Sequence, residues 1–281
     1  MASATGKIIL SGEYAVVFGK RGIAIPSEKR INTMFTASQK NDESTIHWNE
    51  KSEDDSWVIY AKKIAECIRE HSGLSGAFQI NHDLPLGKGM GASTALIIAM
   101  CRAALGPDCA KIALSIENEL NVGNSGIDFA VIWEEKPILF QRKSIPEMID
   151  IDLQKLAGYE LIDTGMPSEP TPELVAWVKE KYMSDAHDPP SAAGTQRRSS
   201  EVDAINIIGQ CTERLLVGED LRVVMRDHHR AQVALGVVPQ EVQCLIAEIE
   251  GRGGSAKVIG AGARTGGGGM VLVLPSAVKL A

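Results

Sequence analysis

The sequence predicts a mixed α/β protein built as two lobes with a cleft between them. Short β-like runs between turn signals open the chain, helical apolar periodicity dominates its later part, and a glycine-rich turn joins a strand to a helix near residue 90. A length of 281 residues allows one large domain or two modest ones. Because the composition changes before a crossover segment at 143–153, we expect an N-terminal lobe over residues 1–150 and a C-terminal lobe over 151–281.

The N-terminal lobe is predicted to begin as a sheet and to continue as helices. Runs of β-forming residues predict strands at 7–10, 15–18, 23–25, 31–37, 45–48 and 78–80. Apolar residues at helical spacing predict helices over 57–69, 95–104 and 108–120. A polar turn at 123–126 ends the last of these helices before an apolar run at 127–133.

The C-terminal lobe is predicted to alternate between strands and helices. The expected strands lie at 160–163, 256–259 and 270–274. The expected helices cover 172–181, 202–216, 221–235 and 240–250. Segment 184–200 is rich in Ser, Pro, Ala and charge and has no apolar period, which predicts a mobile surface loop.

Composition excludes several classes of function. With 29 Lys and Arg against 36 Asp and Glu, a net charge of −7 and 5% aromatic residues, the chain lacks the features of nucleic-acid binding. The longest notable apolar run, 95–101, is far shorter than the ~18 residues that span a bilayer, and no signal peptide opens the chain. We therefore expect a cytoplasmic protein with no membrane partner. Its 5 cysteines, without a C-x-x-C pair, predict reduced core thiols.

The glycine loop at 87–91 is the first candidate for chemistry. Glycines let a backbone approach a ligand closely, and the N-terminus of the following helix offers unpaired N–H groups to an anion such as phosphate. Lys88 would add a positive charge, and the hydroxyls of Ser93 and Thr94 would ligate Mg²⁺ or cap the helix. Neither a Walker A nor a dinucleotide-binding pattern is present. The loop alone therefore leaves a phosphate site and a structural turn as open alternatives.

Three further segments are candidates for a site. Six of the ten residues at 260–269 are glycine, which suits either close backbone contact with a ligand or a plain flexible hairpin. Lys7 and Glu13 lie at the start of a strand and in the turn after it, where both would face a cleft, yet each alone is typical of a solvated surface charge. Asp128 follows a Gly/Asn/Ser turn, where an aspartate is more often a cap than a catalytic group.

Other enzyme classes lack their expected patterns. His228 and His229 are sequence neighbours that diverge on a helix, and no H-x-x-x-H or H-E-x-x-H spacing occurs. The G-x-S-x-G elbow and the H-R-D and D-F-G segments of protein kinases are also absent from the sequence. We therefore do not expect a zinc enzyme, a serine hydrolase or a protein kinase.

Taken in order, these segments resemble the GHMP kinase superfamily of small-molecule kinases. Pro85-Leu-Gly-Lys-Gly-Met-Gly-Ala-Ser-Thr-Ala95 looks like its ATP-phosphate loop, P-x-x-x-G-L-G-S-S-A, and 257–269 looks like its third, glycine-rich motif. Within the superfamily the likeness is strongest to the mevalonate kinases. Segment 6–19, GKIILSGEYAVVFG, resembles their G-K-V-I-L-x-G-E-H-A-V-V-x-G, and 123–128 resembles their G-N-P-S-G-x-D.

The resemblance implies a two-lobed GHMP-kinase-like α/β (α+β) fold. Its N-terminal lobe would be ribosomal-S5-like and its C-terminal lobe ferredoxin-like, with the active site between them. The implied cofactors are ATP and Mg²⁺. The residues implied to bind ATP are Pro85, Gly87, Lys88, Gly89, Met90, Gly91, Ala92, Ser93 and Thr94. Ser93 and Glu117 are implied to ligate Mg²⁺, with Glu119 as the substitute if the turn after it has lost one residue.

The activity implied by the resemblance is phosphorylation of mevalonate by ATP. Asp128 would accept the proton of the C5 hydroxyl, and Lys7 would lie beside that hydroxyl and the γ-phosphate. The residues implied to contact the substrate are Lys7, Glu13, Tyr14, Asp128 and Gly262. A homodimer is a further family expectation.

Three departures from the family pattern leave alternatives open. Tyr14 replaces the usual His, Ala92 replaces the first Ser of the loop, and the third motif carries extra residues around Arg264 and Thr265. A kinase acting on a phosphorylated mevalonate, such as a phosphomevalonate kinase, is the first alternative. The second is a nucleotide-binding protein without catalysis.

Overall fold

The protein has a mixed α/β fold, as the sequence predicts. The computed structural model describes residues 1–38, 43–48, 55–151, 156, 158–187 and 195–276. Its strands are β1 (Ala2–Ser11), β2 (Arg21–Ala37), β3 (Thr45–Trp48), β4 (Gly76–His82), β5 (Ile138–Gln141), β6 (Glu147–Met148), β7 (Glu160–Asp163), β8 (Ser255–Val258) and β9 (Met270–Leu274). Its α-helices are α1 (Ser56–Ser72), α2 (Ala92–Leu105), α3 (Ala110–Leu120), α4 (Ile127–Glu134), α5 (Thr171–His187), α6 (Thr195–Leu216), α7 (Leu221–Ala234) and α8 (Gln240–Gly251).

The chain forms two compact units, each assembled from separate segments. Unit 1 comprises Met1–Lys7, Pro26–Leu86 and Met90–Lys136. Unit 2 comprises Ile8–Ile25, Gly87–Gly89 and Pro137–Ala281. Because β1, β2 and the glycine loop each contribute residues to both units, a single cut near residue 150 does not describe this division.

Unit 1 combines part of a sheet with four helices. The later part of β2 pairs antiparallel with β4, from Ile31 opposite His82 to Ala37 opposite Gly76, and β3 runs parallel to β4. Helix α2 packs against α1, α3 and α4. Every residue of the apolar run 95–101 is fully buried in α2, so this run is a core helix. Within the described residues, no helix is both long enough and apolar enough to cross a membrane.

Unit 2 combines short strands with four helices. The first residues of β2 pair antiparallel with β5, which also pairs with β6. A separate antiparallel sheet has the strand order β7, β9, β8. Apolar residues of α8 pack onto β8 and β9 in one core cluster, and residues of α5, α6 and α7 form another.

Three predictions about local structure are wrong. Residues 15–18 form a 3₁₀ helix instead of a strand, since Tyr14 has φ 63° and accepts a hydrogen bond from the N–H of Val17 at 2.8 Å. A four-residue apolar run fits either structure. The strands predicted at 23–25 and 31–37 are one strand, β2, which continues through Pro26. Cys244 is exposed, whereas the other cysteines are buried free thiols as predicted.

The loop predicted at 184–200 is also wrong at both of its ends. Helix α5 continues to His187, and helix α6 begins at Thr195. Residues 188–194 lie outside the described residues. Apolar periodicity reveals only helices that have one apolar face. The sequence at these two helix ends has no such period, so it did not predict that they are helical.

Candidate active site

The first turn of helix α2 carries open backbone donors at the end of the glycine loop. Gly91 is the N-cap of α2 with φ 74°, and no side chain caps this helix. The first N–H groups of a helix have no intrahelical acceptor, so those of the first turn of α2 can bind an anion. Ser93 and Thr94 do not cap the helix, because their side chains interact with Tyr60 and Glu117 instead. The alternative of an ordinary Ser or Thr cap is therefore wrong.

Lys7 and Asp128 form an ion pair next to this helix start. Lys7 Nζ lies 3.4 Å from Asp128 Oδ1, with 3% of the lysine side chain and 34% of the aspartate side chain exposed. A Cβ added to Gly91 would lie 3.1 Å from Lys7 Cγ and 3.4 Å from Asp128 Oδ2. A side chain at position 91 would be crowded, so glycine fits best there. The Lys7–Asp128 ion pair therefore packs directly against the glycine loop.

The secondary structure of unit 1 fixes both charges. The backbone N–H of Lys7 donates to the carbonyl of Met90 at 2.9 Å, which ties β1 to the glycine loop. Asp128 lies in the first turn of α4, after Gly126 at φ 91°. A carboxylate is stabilised at that end of a helix by the helix dipole. The reading of Lys7 as a solvated surface charge is wrong, because the residue is 2% exposed.

Glu117 is a buried carboxylate beside the start of α2. It is 2% exposed, and it accepts hydrogen bonds from Thr94 Oγ1 at 3.0 Å and from Asn121 Nδ2 at 2.9 Å. Burial raises the pKa of Glu117 to about 7, and the negative charge of Asp128 adds to this against the two hydrogen bonds. Glu119, the alternative ligand, is exposed and accepts a hydrogen bond from the thiol of Cys67 on α1.

The residues at this point fit a magnesium ion shared with a nucleotide. Among the described residues, no three His, Cys, Asp or Glu side chains are grouped to hold a metal by themselves. Mg²⁺ in kinases is held by one or two carboxylates together with substrate phosphates, so a full protein cage is not needed. The desolvated carboxylate of Glu117, near a second negative charge at Asp128, is the charge distribution that a divalent cation compensates.

Sequence reasoning missed Tyr60 and Asn121 in this group. The Tyr60 hydroxyl donates to Asn121 Oδ1 at 3.1 Å, and Asn121 holds Glu117. Asn121 follows Glu117 by four residues, a spacing that places two side chains on the same side of a helix. That spacing was the only available signal, since nothing in the sequence connects Tyr60 with either residue.

In unit 2, the two glycine-rich segments meet backbone to backbone. A Cβ on Gly89, at φ 83°, would lie 2.6 Å from the carbonyl oxygen of Ile259, and one on Gly260, at φ 80°, would lie 2.8 Å from Gly89 Cα. The N–H of Met270 donates to the carbonyl of Lys88 at 3.1 Å. The side chain of Lys88 is bound to Asp163. Segment 260–269 is therefore closely packed, and the interpretation as a plain flexible hairpin is wrong.

Glu13 is enclosed in a charged cluster of unit 2. Its carboxylate is bound to Lys257 Nζ and lies 2.9 Å from His228 Nε2. Burial raises the pKa of Glu13, but the positive charge of Lys257 and the contact with His228 outweigh burial and lower this pKa to about 2. At 2% exposure, Glu13 is not the solvated surface charge that it resembles in the sequence.

Tyr14 and Gly262 also have constrained positions in unit 2. The Tyr14 hydroxyl donates to the carbonyl of Ala261, and burial raises the pKa of the phenol. Gly262 has φ 73°, and a Cβ there would lie 2.1 Å from the carbonyl oxygen of Val237. The geometry explains why a glycine occurs at 262, and the predicted contacts of Glu13, Tyr14 and Gly262 with a substrate stay predictions.

Comparison with known proteins shows which family the chain resembles. Residues 59–134, which contain the glycine loop, Glu117 and Asp128, match the family described as GHMP kinases N terminal domain. A mevalonate kinase of Archaeoglobus fulgidus is 28% identical over 98% of this chain and 92% of its own length. The chain is thus similar to the GHMP kinases over residues 59–134 and to an archaeal mevalonate kinase over nearly its full length.

The fold of the chain also matches that of solved mevalonate kinases. The crystal structure of the Methanococcus jannaschii mevalonate kinase matches with a TM-score of 0.75 at 20% identity, covering 97% of this chain and 89% of that one. The mevalonate kinase of L. major, solved in complex with R-mevalonate, matches with a TM-score of 0.75 at 19% identity, covering 98% and 87%. The predicted GHMP-kinase-like fold is therefore confirmed.

Proposed function

We propose that this protein transfers the γ-phosphoryl group of ATP to the C5 hydroxyl of mevalonate. The observation that carries the proposal is the ion pair of Lys7 and Asp128, 3.4 Å apart, next to Gly91 at the start of α2. The nearly full-length similarity to an archaeal mevalonate kinase supports the choice of acceptor.

The nucleotide would bind along the glycine loop. The N–H groups in the first turn of α2 would donate to its phosphates, because they have no helical acceptors. Lys88 would add a positive charge to the same phosphates. The full set proposed for ATP is Pro85, Gly87, Lys88, Gly89, Met90, Gly91, Ala92, Ser93 and Thr94.

Ser93 and Glu117 would hold the magnesium ion. Hydroxyl and carboxylate oxygens are the hard ligands that Mg²⁺ prefers. When bound, the ion neutralises charge on the phosphoryl oxygens. We prefer Glu117 to Glu119, because Glu117 is buried beside Thr94 whereas Glu119 is exposed and faces α1.

Asp128 and Lys7 would act on the acceptor hydroxyl. Phosphoryl transfer depends mainly on alignment and charge neutralisation, so a carboxylate that orients the hydroxyl and takes its proton is sufficient as a base. Lys7 is anchored through its main chain and almost fully buried, which gives its ammonium group a fixed place beside the attacking oxygen. Further contacts with mevalonate are proposed for Glu13, Tyr14 and Gly262.

A phosphorylated acceptor is the second candidate, and two contacts weigh against it. Such an acceptor needs an additional cationic pocket, and the extra residues of the third motif lie around one cationic side chain, Arg264. Arg264 Nε instead donates to Glu169 Oε1 at 2.7 Å, and its backbone N–H donates to Glu169 Oε2. Tyr14, the other departure, has its hydroxyl engaged by Ala261. Both departures thus have partners within the protein.

Coupled ADP release tests the proposal. The purified protein with Mg²⁺-ATP is offered mevalonate, 5-phosphomevalonate, 3-phosphomevalonate, galactose or homoserine as the acceptor. We expect turnover with mevalonate alone and loss of turnover when EDTA removes the metal. Turnover confined to a phosphorylated acceptor would contradict mevalonate as the substrate but would agree with phosphoryl transfer as the reaction. No ADP release above background with any acceptor would contradict both. A homodimer, also proposed from the family resemblance, is tested by light scattering on the same sample.

A further inference from the structure

A chain of side-chain hydrogen bonds in unit 1 leads to Glu117, one of the two proposed magnesium ligands, and begins beside the other, Ser93. Tyr60, on α1, donates from its hydroxyl to Asn121 Oδ1 at 3.1 Å. Asn121, directly after α3, donates from Nδ2 to Glu117 Oε2 at 2.9 Å. The side chain of Ser93, on α2, lies beside the Tyr60 hydroxyl. The chain of hydrogen bonds therefore runs from Tyr60 through Asn121 to Glu117, with Ser93 next to its first member.

The directions of these hydrogen bonds suit a metal site. A phenol has one proton, and Tyr60 gives it to Asn121, so Tyr60 has no proton left to donate to Ser93. The lone pairs of Ser93 Oγ then remain available to a cation. On the other side, Asn121 and Thr94 each donate to a different oxygen of Glu117, which fixes the plane of its carboxylate.

Asn121 is itself held firmly. Its backbone N–H donates to the carbonyl of Glu117 at 2.9 Å. Its own carbonyl accepts from Asn124 Nδ2 at 2.9 Å, which links it to the turn before α4. Asn118, three residues earlier on α3, is exposed, and its side chain contacts Asn124 at 3.3 Å. The C-terminal end of α3 thus has two asparagines: Asn121, which holds Glu117, and Asn118, which serves as a control.

We propose that Tyr60 and Asn121 are positioning residues for magnesium binding, with Asn121 orienting Glu117 and Tyr60 holding Asn121 in place. The inference rests on the proposed function, because it takes Ser93 and Glu117 as the ligands. Neither Tyr60 nor Asn121 needs to touch the reacting atoms. Partners that orient metal ligands in this way typically change metal affinity by about 10- to 100-fold when they are removed.

Calorimetric titration of ATP with and without Mg²⁺ tests the inference without relying on turnover. The full chain is compared with its Asn121→Ala and Tyr60→Phe variants and with Asn118→Ala as the matched control. We expect metal-free ATP affinity to stay within about twofold in all four proteins. The gain in ATP affinity on adding Mg²⁺ should shrink about tenfold in Asn121→Ala and Tyr60→Phe and stay unchanged in Asn118→Ala.

Two outcomes would overturn the inference. One is a metal-dependent gain in Asn121→Ala and Tyr60→Phe equal to that of the wild type. The other is an equal loss of affinity with and without Mg²⁺, which would show that the variants loosen the nucleotide site in general. Tyr60→Phe keeps the ring that packs edge-on against Trp57 at 6.0 Å, so this variant decides the test if Asn121→Ala does not fold.

The acceptor assay separates this inference from the proposed function. A wild-type protein that binds ATP in a Mg²⁺-dependent way but phosphorylates nothing in the acceptor panel would overturn the proposed activity alone. An active wild type whose variants keep the full response to Mg²⁺ would overturn the inference alone. The effects of the two substitutions should also be less than additive in the double mutant, because the Tyr60 hydroxyl holds Asn121, which in turn holds Glu117.

Discussion

Asp128 is the carboxylate on which the proposed chemistry depends most directly. About a third of its side chain is exposed, so it can reach an acceptor while Lys7 holds it from the protein side. We expect Asp128→Asn to lower kcat by about 10²- to 10⁴-fold and to change KM far less, because the base acts in the transition state. Steady-state kinetics with mevalonate check this, with exposed Glu134→Gln on the same helix as control. Unchanged turnover in Asp128→Asn would remove its role as base.

Lys88 has a competing partner within the protein. Its ammonium group is bound to Asp163 on β7, and both side chains are partly exposed, so the pair can exchange for a phosphate. Asp163→Asn removes the competitor and should lower the KM for ATP by about two- to fivefold, in line with an exposed ion pair. Lys88→Met should raise the KM for ATP, because it removes the positive charge. Exposed Glu160→Gln on the same strand is the control for a lost charge. A higher KM in Asp163→Asn would show that the pair mainly holds the loop in place.

At the scale of elements, the contact between the two glycine-rich segments can be tested against a matched glycine. Gly260 and Gly218 both have left-handed φ, 80° and 85°, but a Cβ would meet Gly89 Cα at 2.8 Å in the first case and nothing within 4 Å in the second. Gly218→Ala therefore measures the backbone cost alone, about 1–2 kcal/mol. Gly260→Ala should lower the free energy of unfolding by more and also raise the KM for ATP. Equal losses in urea unfolding would contradict the close packing of the segments.

Local patterns in the sequence predicted most elements but not their contacts. The helical period of α1 and the β-like run of β9 are patterns among residues that are close together in the sequence, so the sequence predicted both elements. The site residues Lys7, Ser93, Glu117 and Asp128 came from family motifs, and the structure places all four in unit 1. Tyr60 could not be found in this way, because its contact with Asn121 spans 61 residues and a tyrosine on a helix carries no distinguishing pattern.

For the whole molecule, two buried carboxylates make stability depend on pH in opposite directions. The pKa of Glu13 falls from its ordinary value of 4.5 to about 2, so its contribution is present above pH 4.5 and is lost as the pH falls toward 2. The pKa of Glu117 rises from 4.5 to about 7. The folded state therefore binds the Glu117 proton more tightly than the unfolded chain does, so the contribution of Glu117 to stability decreases as the pH rises from 4.5 to 7. Burial lowers the pKa of His229 from 6.5 to about 4, which makes stability rise over much of the same range.

Substitution separates these two effects. Without metal, the stability of Glu117→Gln relative to the wild type should increase from pH 4.5 to 7 and the acid limb should stay in place, because the amide does not titrate. Urea unfolding of this variant and the wild type between pH 3 and 8 makes the comparison, and exposed Glu119→Gln is the control on the same helix. Adding Mg²⁺-ATP should reduce this difference between the two proteins, since a cation bound to Glu117 favours the charged carboxylate. A difference that stays constant from pH 4.5 to 7 would contradict the raised pKa of Glu117 and would remove the electrostatic argument for a cation at this point of unit 1.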